Sequence, residues 1–269
     1  MKFSNLYIGT LSGTSADSID AALFELGKKI NLVGSASKKI PENLKSEITK
    51  LSNTQKNLND YPTKSLIKLD ESFALETANL INKLLTKLNI NKNLVHAIGS
   101  HGQTIQHFPR IDKPYSLQIG NPRIISKVTG IKTVGNFRKA NIEHGGIGAP
   151  LTPAFHKEIF FSKKLNRVII NIGGITNITR LIPGKKIIGW DSGPGNCMID
   201  QCVKEFSSNK MQFDDKGRIA KKGNANALIK EINKVLSMSY FQENLPKSQS
   251  TINFNFNKLS KSNLNKYSF

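Results

Sequence analysis

Residues 9–20 read Gly-Thr-Leu-Ser-Gly-Thr-Ser-Ala-Asp-Ser-Ile-Asp, a run that combines small, hydroxyl and acidic side chains. Small residues allow backbone N–H groups to converge on an anion, and the hydroxyl groups of Thr14 and Ser15 add further donors. The carboxylates of Asp17 and Asp20 are suited to hold Mg²⁺ beside a phosphate group. The pattern therefore indicates a phosphate-binding turn, and an ordinary hairpin turn is the alternative interpretation.

A second glycine turn, Gly173-Gly174-Ile175-Thr176, follows an apolar segment in the later part of the chain. Two such turns facing each other would hold a polyphosphate from both sides, because each presents backbone N–H groups. That is the nucleotide arrangement of two-lobed kinases. The pair of turns therefore strengthens the phosphate interpretation.

Asp191 stands at the predicted end of a strand and is followed by Ser192-Gly193-Pro194-Gly195. An acid at the carboxyl end of a strand in an α/β fold faces the ligand crevice. In that position it could act as a general base on a hydroxyl group or a water molecule. The alternative is a helix N-cap, in which Asp191 or Ser192 accepts hydrogen bonds at the start of a helix predicted over residues 197–206.

Polar residues also follow the predicted strand over residues 95–98, in the order Ser100-His101-Gly102-Gln103-Thr104. Gln103 and Thr104 are suited to bind the hydroxyl or amide groups of a sugar, and Arg138 is suited to bind a carboxylate. His101 could act as a base. A structural histidine bonded to the backbone is the alternative.

Strand and helix signals alternate along the chain. Three β-prone segments begin it, helical spacing dominates residues 41–88, and a strand, glycine turn and strand begin the second half. This order predicts two related α/β lobes with mixed sheets covered by helices. The predicted strands cover residues 6–11, 19–26, 30–36, 95–98, 131–134, 167–172, 175–182 and 187–190.

The glycine and proline residues of segment 145–153 mark the boundary between the lobes. We predict a first lobe over residues 1–144 and a second lobe over residues 145–248. Residues 249–269 are rich in Asn, Ser and Lys without a clear period, which predicts a disordered tail.

The composition is that of a globular protein, with 269 residues, 38% hydrophobic and 22% charged. No apolar run is long enough to span a membrane, and Cys197 and Cys202 match neither a disulfide framework nor a common zinc spacing. The formal charge is +20, from 33 lysines and six arginines scattered through every segment. Scattered lysines favour anionic small molecules over sequence-specific nucleic-acid binding.

Several of these segments resemble the signature stretches of the anhydro-N-acetylmuramic acid kinase family. The segments are collinear with the family from about Tyr7 to Ser248 and cover residues 11–20, 100–104, 145–150, 171–177 and 191–196. The resemblance implies two ribonuclease-H-like lobes of the actin/hexokinase/Hsp70 type. It also implies an ATP-dependent sugar kinase of cell-wall recycling, which opens 1,6-anhydro-N-acetylmuramic acid with water and phosphorylates O6 to give N-acetylmuramic acid 6-phosphate.

The resemblance also assigns roles to residues of this chain, with ATP and Mg²⁺ as cofactors and the Mg²⁺ ligands unknown. The assigned residues are Asp191 as the catalytic base, Gln103, Thr104 and Arg138 on the sugar side, and, for ATP, Gly13, Thr14, Ser15, Ala16, Asp17, Ser18, Ile19, Asp20, Gly173 and Gly174. We expect an amino sugar and ATP as partners, no specific nucleic acid and no membrane, with a homodimer as a possible assembly. The expected location is the cytoplasm.

The chain also departs from the family pattern. Asn136 and Asn141 stand where the family usually has Asp, and Ser18 stands where glycine is usual. The resemblance stops after Ser248, and residues 249–269 contain no glycine-rich turn for adenosine, so we expect the second lobe to be incomplete. A catalytically silent truncated remnant, or a sugar-binding protein without turnover, is therefore the alternative. A nucleic-acid-binding ribonuclease-H-like protein is a third hypothesis.

Overall fold

The computed structural model describes residues 5–54, 58, 63–109, 113–223 and 229–248. The chain divides into two compact units, residues 1–148 and 149–269. The first unit ends at Gly148, whereas the first lobe predicted from the sequence ends at His144. The predicted tail, residues 249–269, lies outside the described residues.

The first unit contains a mixed sheet and helices. Its strands and α-helices are, in chain order, β1 (Leu6–Leu11), β2 (Ser18–Leu26), β3 (Ile30–Lys39), α1 (Glu42–Ser52), α2 (Lys64–Lys87), β4 (Val95–Ser100), β5 (Gln103–Phe108), β6 (Tyr115–Ile119), α3 (Pro122–Thr129), β7 (Thr133–Val134) and α4 (Phe137–Glu143). The helical region predicted over residues 41–88 is thus two helices.

The five-stranded sheet of this unit has the order β3-β2-β1-β4-β7. The first three strands form an antiparallel meander, and β4 and β7 continue the sheet in parallel with β1. Parallel pairing requires a crossover connection, which α1 and α2 supply between β3 and β4. This strand order is that of a ribonuclease-H-like lobe.

The hydrophobic core lies on one face of this sheet. In β1, the buried residues Leu6, Ile8 and Thr10 alternate with more exposed ones, as the period of a strand requires. The helix α2 covers this face with residues spaced by threes and fours, among them the fully buried Phe73 and Ile81. The same periodicity made both elements predictable from the sequence.

The second unit contains an antiparallel three-stranded sheet of order β10-β9-β8. Its elements are α5 (Pro153–Phe160), β8 (Arg167–Ile172), β9 (Ile175–Leu181), β10 (Ile188–Pro194), α6 (Asn196–Phe206) and α7 (Ile229–Leu236). The meander repeats the one that begins the first unit, which confirms the predicted α/β fold of the two-lobed actin/hexokinase/Hsp70 type.

The strand β8 forms one edge of this sheet among the described residues. Val168, Ile170 and Ile172 lie on one side of it and are 57%, 59% and 65% exposed. The corresponding strand of the first unit, β1, has β4 beside it. Nowhere in the described ranges is there a helix long and apolar enough to cross a membrane.

Candidate active site

The turn between β1 and β2, residues 12–17, presents free donors to solvent. Gly13, Thr14 and Ser15 are exposed, and the described contacts use none of their backbone N–H groups. Ala16 has a left-handed backbone (φ 51°), and its N–H donates to the Gly13 carbonyl at 3.0 Å, which closes the turn. A turn of this kind with unpaired N–H and hydroxyl donors fits an anion such as a phosphate group.

Buried polar groups join the base of the turn to the start of β5. Ser12 is 3% exposed, and its hydroxyl lies 2.7 Å from Gln103 Oε1 and 2.8 Å from the Ser18 carbonyl oxygen. Gln103 is fully buried and donates through Nε2 to the Thr104 carbonyl at 3.0 Å. Gln103 therefore holds the β1–β2 turn in place, and its predicted contact with a sugar stays a prediction.

The two acids of the turn have different surroundings. Asp17 forms an ion pair with Lys45, and its carbonyl accepts from Ile40 N–H at 3.0 Å. Asp20 is exposed, with the Ser18 hydroxyl 3.3 Å from one carboxylate oxygen. It borders an open groove of about 550 Å³ on the sheet face opposite α2, which is also lined by Gly9 and other small residues.

Mg²⁺ fits this donor set. No group of three or more His, Cys, Asp or Glu residues that could enclose a metal occurs in the described part of the chain. Mg²⁺ commonly binds through one or two carboxylates together with phosphate oxygens. The exposed carboxylate of Asp20, beside the β1–β2 turn, could supply one such carboxylate.

Arg138, which the family resemblance assigns to the sugar side, donates to a histidine ring and to a backbone carbonyl. Its Nε donates to His101 Nε2 at 3.0 Å and its Nη1 donates to the Gly148 carbonyl at 2.8 Å. Because His101 Nε2 accepts, Nδ1 carries the hydrogen and donates to the Gly102 carbonyl at 3.1 Å. Of the two interpretations of His101, the geometry supports the structural one, a neutral ring bonded to the backbone and to an arginine.

Electrostatics keep a second histidine neutral as well. Burial, and then the charge of Arg138, lower the pKa of His101 from 6.5 to about 4. The same two causes lower the pKa of His107 to about 4. His107 contacts the Ser116 hydroxyl at 3.1 Å on the β5–β6 hairpin. Two neutral imidazoles therefore flank the guanidinium of Arg138.

We expect the first unit to lose stability as the pH falls from 7 to 5. The unfolded chain protonates both histidines below about pH 6.5, whereas the folded unit resists protonation until about pH 4, so stability rises with pH in this window. The loss at pH 5 is about 2 kcal/mol for each histidine. Urea unfolding at both pH values measures it, and His101→Gln should lose less on acidification. Equal losses for His101→Gln and wild type would contradict the prediction.

A shallow cavity of about 410 Å³ lies near this cluster in the first unit. His101 and Asn136 line it, together with Asp70, Gln118 and Arg123. Thr104 lies beside this set, since Gln118 Nε2 is 3.5 Å from its hydroxyl. The lining offers amide, acid and guanidinium groups, which are the groups that bind sugar hydroxyls and carboxylates.

In the second unit, Asp191 is buried within β10 instead of standing at its end. The strand continues to Pro194, and Asp191 is 6% exposed. The N-cap of α6 is Gly195, and the Ser192 hydroxyl donates to the Thr176 carbonyl at 3.1 Å. The N-cap alternative for Asp191 and Ser192 is therefore wrong. The strand predicted over residues 187–190 continues instead through Gly193 and Pro194.

Asp191 also has contacts that the sequence did not reveal. The Ser248 hydroxyl donates to Oδ2 of Asp191 at 2.7 Å, and the Asp191 N–H donates to the Lys247 carbonyl at 2.9 Å. The Tyr240 hydroxyl donates to the Asp191 carbonyl. These partners are 49 to 57 residues away in the sequence, and no local pattern marks them.

The second glycine turn lies against the start of α6. The carbonyl groups of Gly173 and Gly174 accept from the N–H groups of Gly195, Asn196 and Cys197, at 2.8–3.3 Å. A Cβ atom on Gly195 would lie 2.2 Å from the Gly173 carbonyl oxygen, so only glycine fits there. The carbonyl groups of this turn thus cap a helix, and the predicted phosphate role of Gly173 and Gly174 stays a prediction.

The ribonuclease-H-like sheet and the repeated meander define a fold of the actin/hexokinase/Hsp70 class. Comparison with known proteins gives the particular family. The model of the family described as anhydro-N-acetylmuramic acid kinase matches residues 5–268, and the chain belongs to that family.

Relatives that bear the name anhydro-N-acetylmuramic acid kinase occur in several bacteria. The relative from Shewanella denitrificans is 39% identical over 252 residues, which are 93% of this chain and 66% of that protein. The relative from Haemophilus influenzae is 34% identical over 249 residues, covering 93% and 63%. The chain therefore spans slightly less than two thirds of the length of these two relatives.

Among solved structures, the ethanolamine utilization protein EutJ from Carboxydothermus hydrogenoformans is similar at a TM-score of 0.40 and 12% identity. That match covers 86% of this chain and 65% of EutJ.

Proposed function

We propose that this chain is an ATP-dependent kinase that opens 1,6-anhydro-N-acetylmuramic acid with water and phosphorylates O6, giving N-acetylmuramic acid 6-phosphate. Membership of the kinase family over residues 5–268 is the observation that carries the proposal. The exposed donors of the β1–β2 turn and the buried carboxylate of Asp191 support it. We further propose that the protein works in the cytoplasm, where ATP is available.

In the first unit, we assign the phosphate groups of ATP to the β1–β2 turn. The N–H groups of Gly13, Thr14 and Ser15 would donate to phosphate oxygens, and Asp20 would hold Mg²⁺. Bound Mg²⁺ supplies neutralisation of the phosphate charge that grows in the transition state. Phosphoryl transfer depends mainly on positioning and charge neutralisation, which such a turn provides.

In the second unit, we assign the role of general base to Asp191. A water oxygen bonds to the anomeric carbon of the sugar, the bond from that carbon to O6 breaks, and O6 takes the γ-phosphoryl group as ADP leaves. The proton lost by the water passes to the Asp191 carboxylate. The Oδ2 atom of this carboxylate accepts from the Ser248 hydroxyl, which would hold the carboxylate in place for the transfer.

The test is an assay of ADP release with calorimetry in parallel. We expect saturable binding of ATP with Mg²⁺, ADP release that depends on the anhydro-sugar, and a product heavier than the sugar by one water and one phosphoryl group. N-acetylmuramic acid, which lacks the 1,6-bond, is the matched control for ring opening. Calorimetric binding of the anhydro-sugar without ADP release would instead support a sugar-binding protein without turnover.

A further inference from the structure

Residues 240–248 contact Asp191 at three different groups. Tyr240 donates to its carbonyl, the Lys247 carbonyl accepts from its N–H, and the Ser248 hydroxyl donates to its carboxylate. Both ends of the segment are buried, since Tyr240, Lys247 and Ser248 are 1%, 8% and 2% exposed. We call residues 240–248 the clasp.

The clasp is also fastened internally. Lys247 Nζ donates to the Tyr240 carbonyl at 2.6 Å and lies 4.4 Å from the centre of the Tyr240 ring. The ring of Tyr240 packs edge-on against Phe241 at 5.6 Å. A lysine placed over an aromatic ring in this way stabilises a closed loop of chain. The two ends of the clasp therefore reach Asp191 as one unit.

A buried carboxylate requires hydrogen-bond donors, because leaving water disfavours its charged form. The Ser248 hydroxyl supplies one donor at Oδ2, at a distance of 2.7 Å typical of a bond to a charged oxygen. The backbone contacts of Tyr240 and Lys247 fix the main chain on both sides of the Asp191 Cα. Together these bonds restrict both the position of Asp191 and the rotation of its carboxylate.

We infer that the clasp positions the carboxylate of Asp191 for proton transfer, with Ser248 as the positioning residue that orients the carboxylate through its bond to Oδ2. The inference deepens the proposed function, because it rests on Asp191 as the general base. A base must lie within hydrogen-bond reach of the proton it removes, and a loosely held carboxylate satisfies that condition only part of the time.

The other titratable groups around Asp191 have partners of their own. In the clasp these are the Lys247 ammonium and the Tyr240 hydroxyl, both described above. On the same face of the sheet, His156 of α5 contacts Thr179 at 2.8 Å. Asn177, which is paired with Asp191 and does not titrate, has a buried side-chain oxygen without a hydrogen-bond partner among the described residues. The Ser248 hydroxyl is the side-chain donor on Oδ2 whose removal we test.

The test reads the carboxylate directly, so it does not depend on turnover. The chain labelled with ¹³C at aspartate gives a carboxyl signal for Asp191, identified by its loss in Asp191→Asn. We expect the titration midpoint of this signal to rise by about one pH unit in Ser248→Ala, because the charged form loses a donor. Ser248→Thr keeps the hydroxyl and should restore the midpoint to within about 0.3 unit.

Ser192→Ala is the matched control. It removes a serine hydroxyl from the same strand, one that is bonded to the Thr176 carbonyl and not to a carboxylate. The Asp191 midpoint should stay within about 0.3 unit of wild type in this variant. Ser248→Cys is a second probe of similar size with a weaker donor, useful where Ser248→Ala disturbs folding. An unchanged midpoint in the folded Ser248→Ala or Ser248→Cys protein overturns the inference.

Kinetics separate this inference from the proposed function. Ser248→Ala should lower kcat about tenfold with KM for ATP and sugar unchanged, because a loosely held carboxylate is within reach of the water only part of the time. In the Asp191→Asn background the same change should have no further effect, since Ser248 acts through Asp191. If the Asp191→Asn enzyme is active and the Asp191 midpoint shifts in Ser248→Ala, Asp191 is not the general base, but the contact between the clasp and its carboxylate is upheld. If the Asp191→Asn enzyme is inactive and the Asp191 midpoint does not shift in Ser248→Ala, the positioning role of the clasp is refuted and the role of Asp191 as base is upheld.

Discussion

The Asp191→Asn variant is expected to fold and to phosphorylate the anhydro-sugar about 10²–10⁴-fold more slowly than wild type, the usual contribution of a positioned general base. Asparagine has nearly the same shape as aspartate, so the buried position remains filled. Its side-chain oxygen can still accept from Ser248, and the backbone contacts with Tyr240 and Lys247 are unaffected. What is lost is the negative charge that takes the proton of the water.

The measurement is the steady-state rate of sugar-dependent ADP release, with circular dichroism to establish folding. Asp215→Asn is the matched control, because Asp215 is an aspartate of the same unit that pairs with Arg218 on the surface. Its rate should stay within about threefold of wild type, as is usual for surface changes away from a site. An Asp191→Asn rate that is also within about threefold of wild type would rule out Asp191 as the base.

We expect the second large effect, a loss of stability, in the Gly102→Ala variant. Gly102 has a left-handed backbone (φ 71°), and an added Cβ would lie 2.2 Å from the Ile119 carbonyl oxygen. That oxygen belongs to the main chain of β6, which is paired with β5, so it cannot move without opening the hairpin. We expect a loss of at least about 3 kcal/mol of unfolding free energy, from strain added to the backbone penalty.

Gly145→Ala is the control for this effect. Gly145 also has a left-handed backbone (φ 80°), but no atom lies within 4 Å of the added Cβ. The backbone penalty alone is about 1 kcal/mol. Hydrogen exchange of the β1 amides, which reports opening of the first unit, measures both variants. Equal losses in the two variants would show that the contact with Ile119 is unimportant.

The sequence predicted the elements whose burial follows a simple period. Alternation in β1 and the spacing of apolar residues in α2 were both visible, because one face of each element meets the core. The β5–β6 hairpin was not predicted, since its buried positions include Gln103 and Gln106, which are polar. Buried amides that bond to other polar groups leave no hydrophobic alternation to detect.

In the candidate site, too, some parts could be predicted from the sequence and others could not. The β1–β2 turn was recognisable because small and hydroxyl residues cluster locally. The clasp was not, because Ser248 lies 57 residues from Asp191 and each part of it is unremarkable alone. Likewise, the lowered pKa of His101 comes from burial and then from the charge of Arg138, which lies 37 residues away. Tertiary contacts of this range are outside what local patterns can show.

The outer edge of β8 has a consequence for how this chain behaves in solution. An apolar edge strand is a template for pairing with another chain, which is the first step of aggregation. The formal charge of +20 opposes that step by repulsion between molecules. The range of this repulsion shrinks from about 10 Å at 0.1 M salt to about 3 Å at 1 M. Solubility of the isolated chain is therefore governed by ionic strength, and low-salt buffers keep the molecules apart.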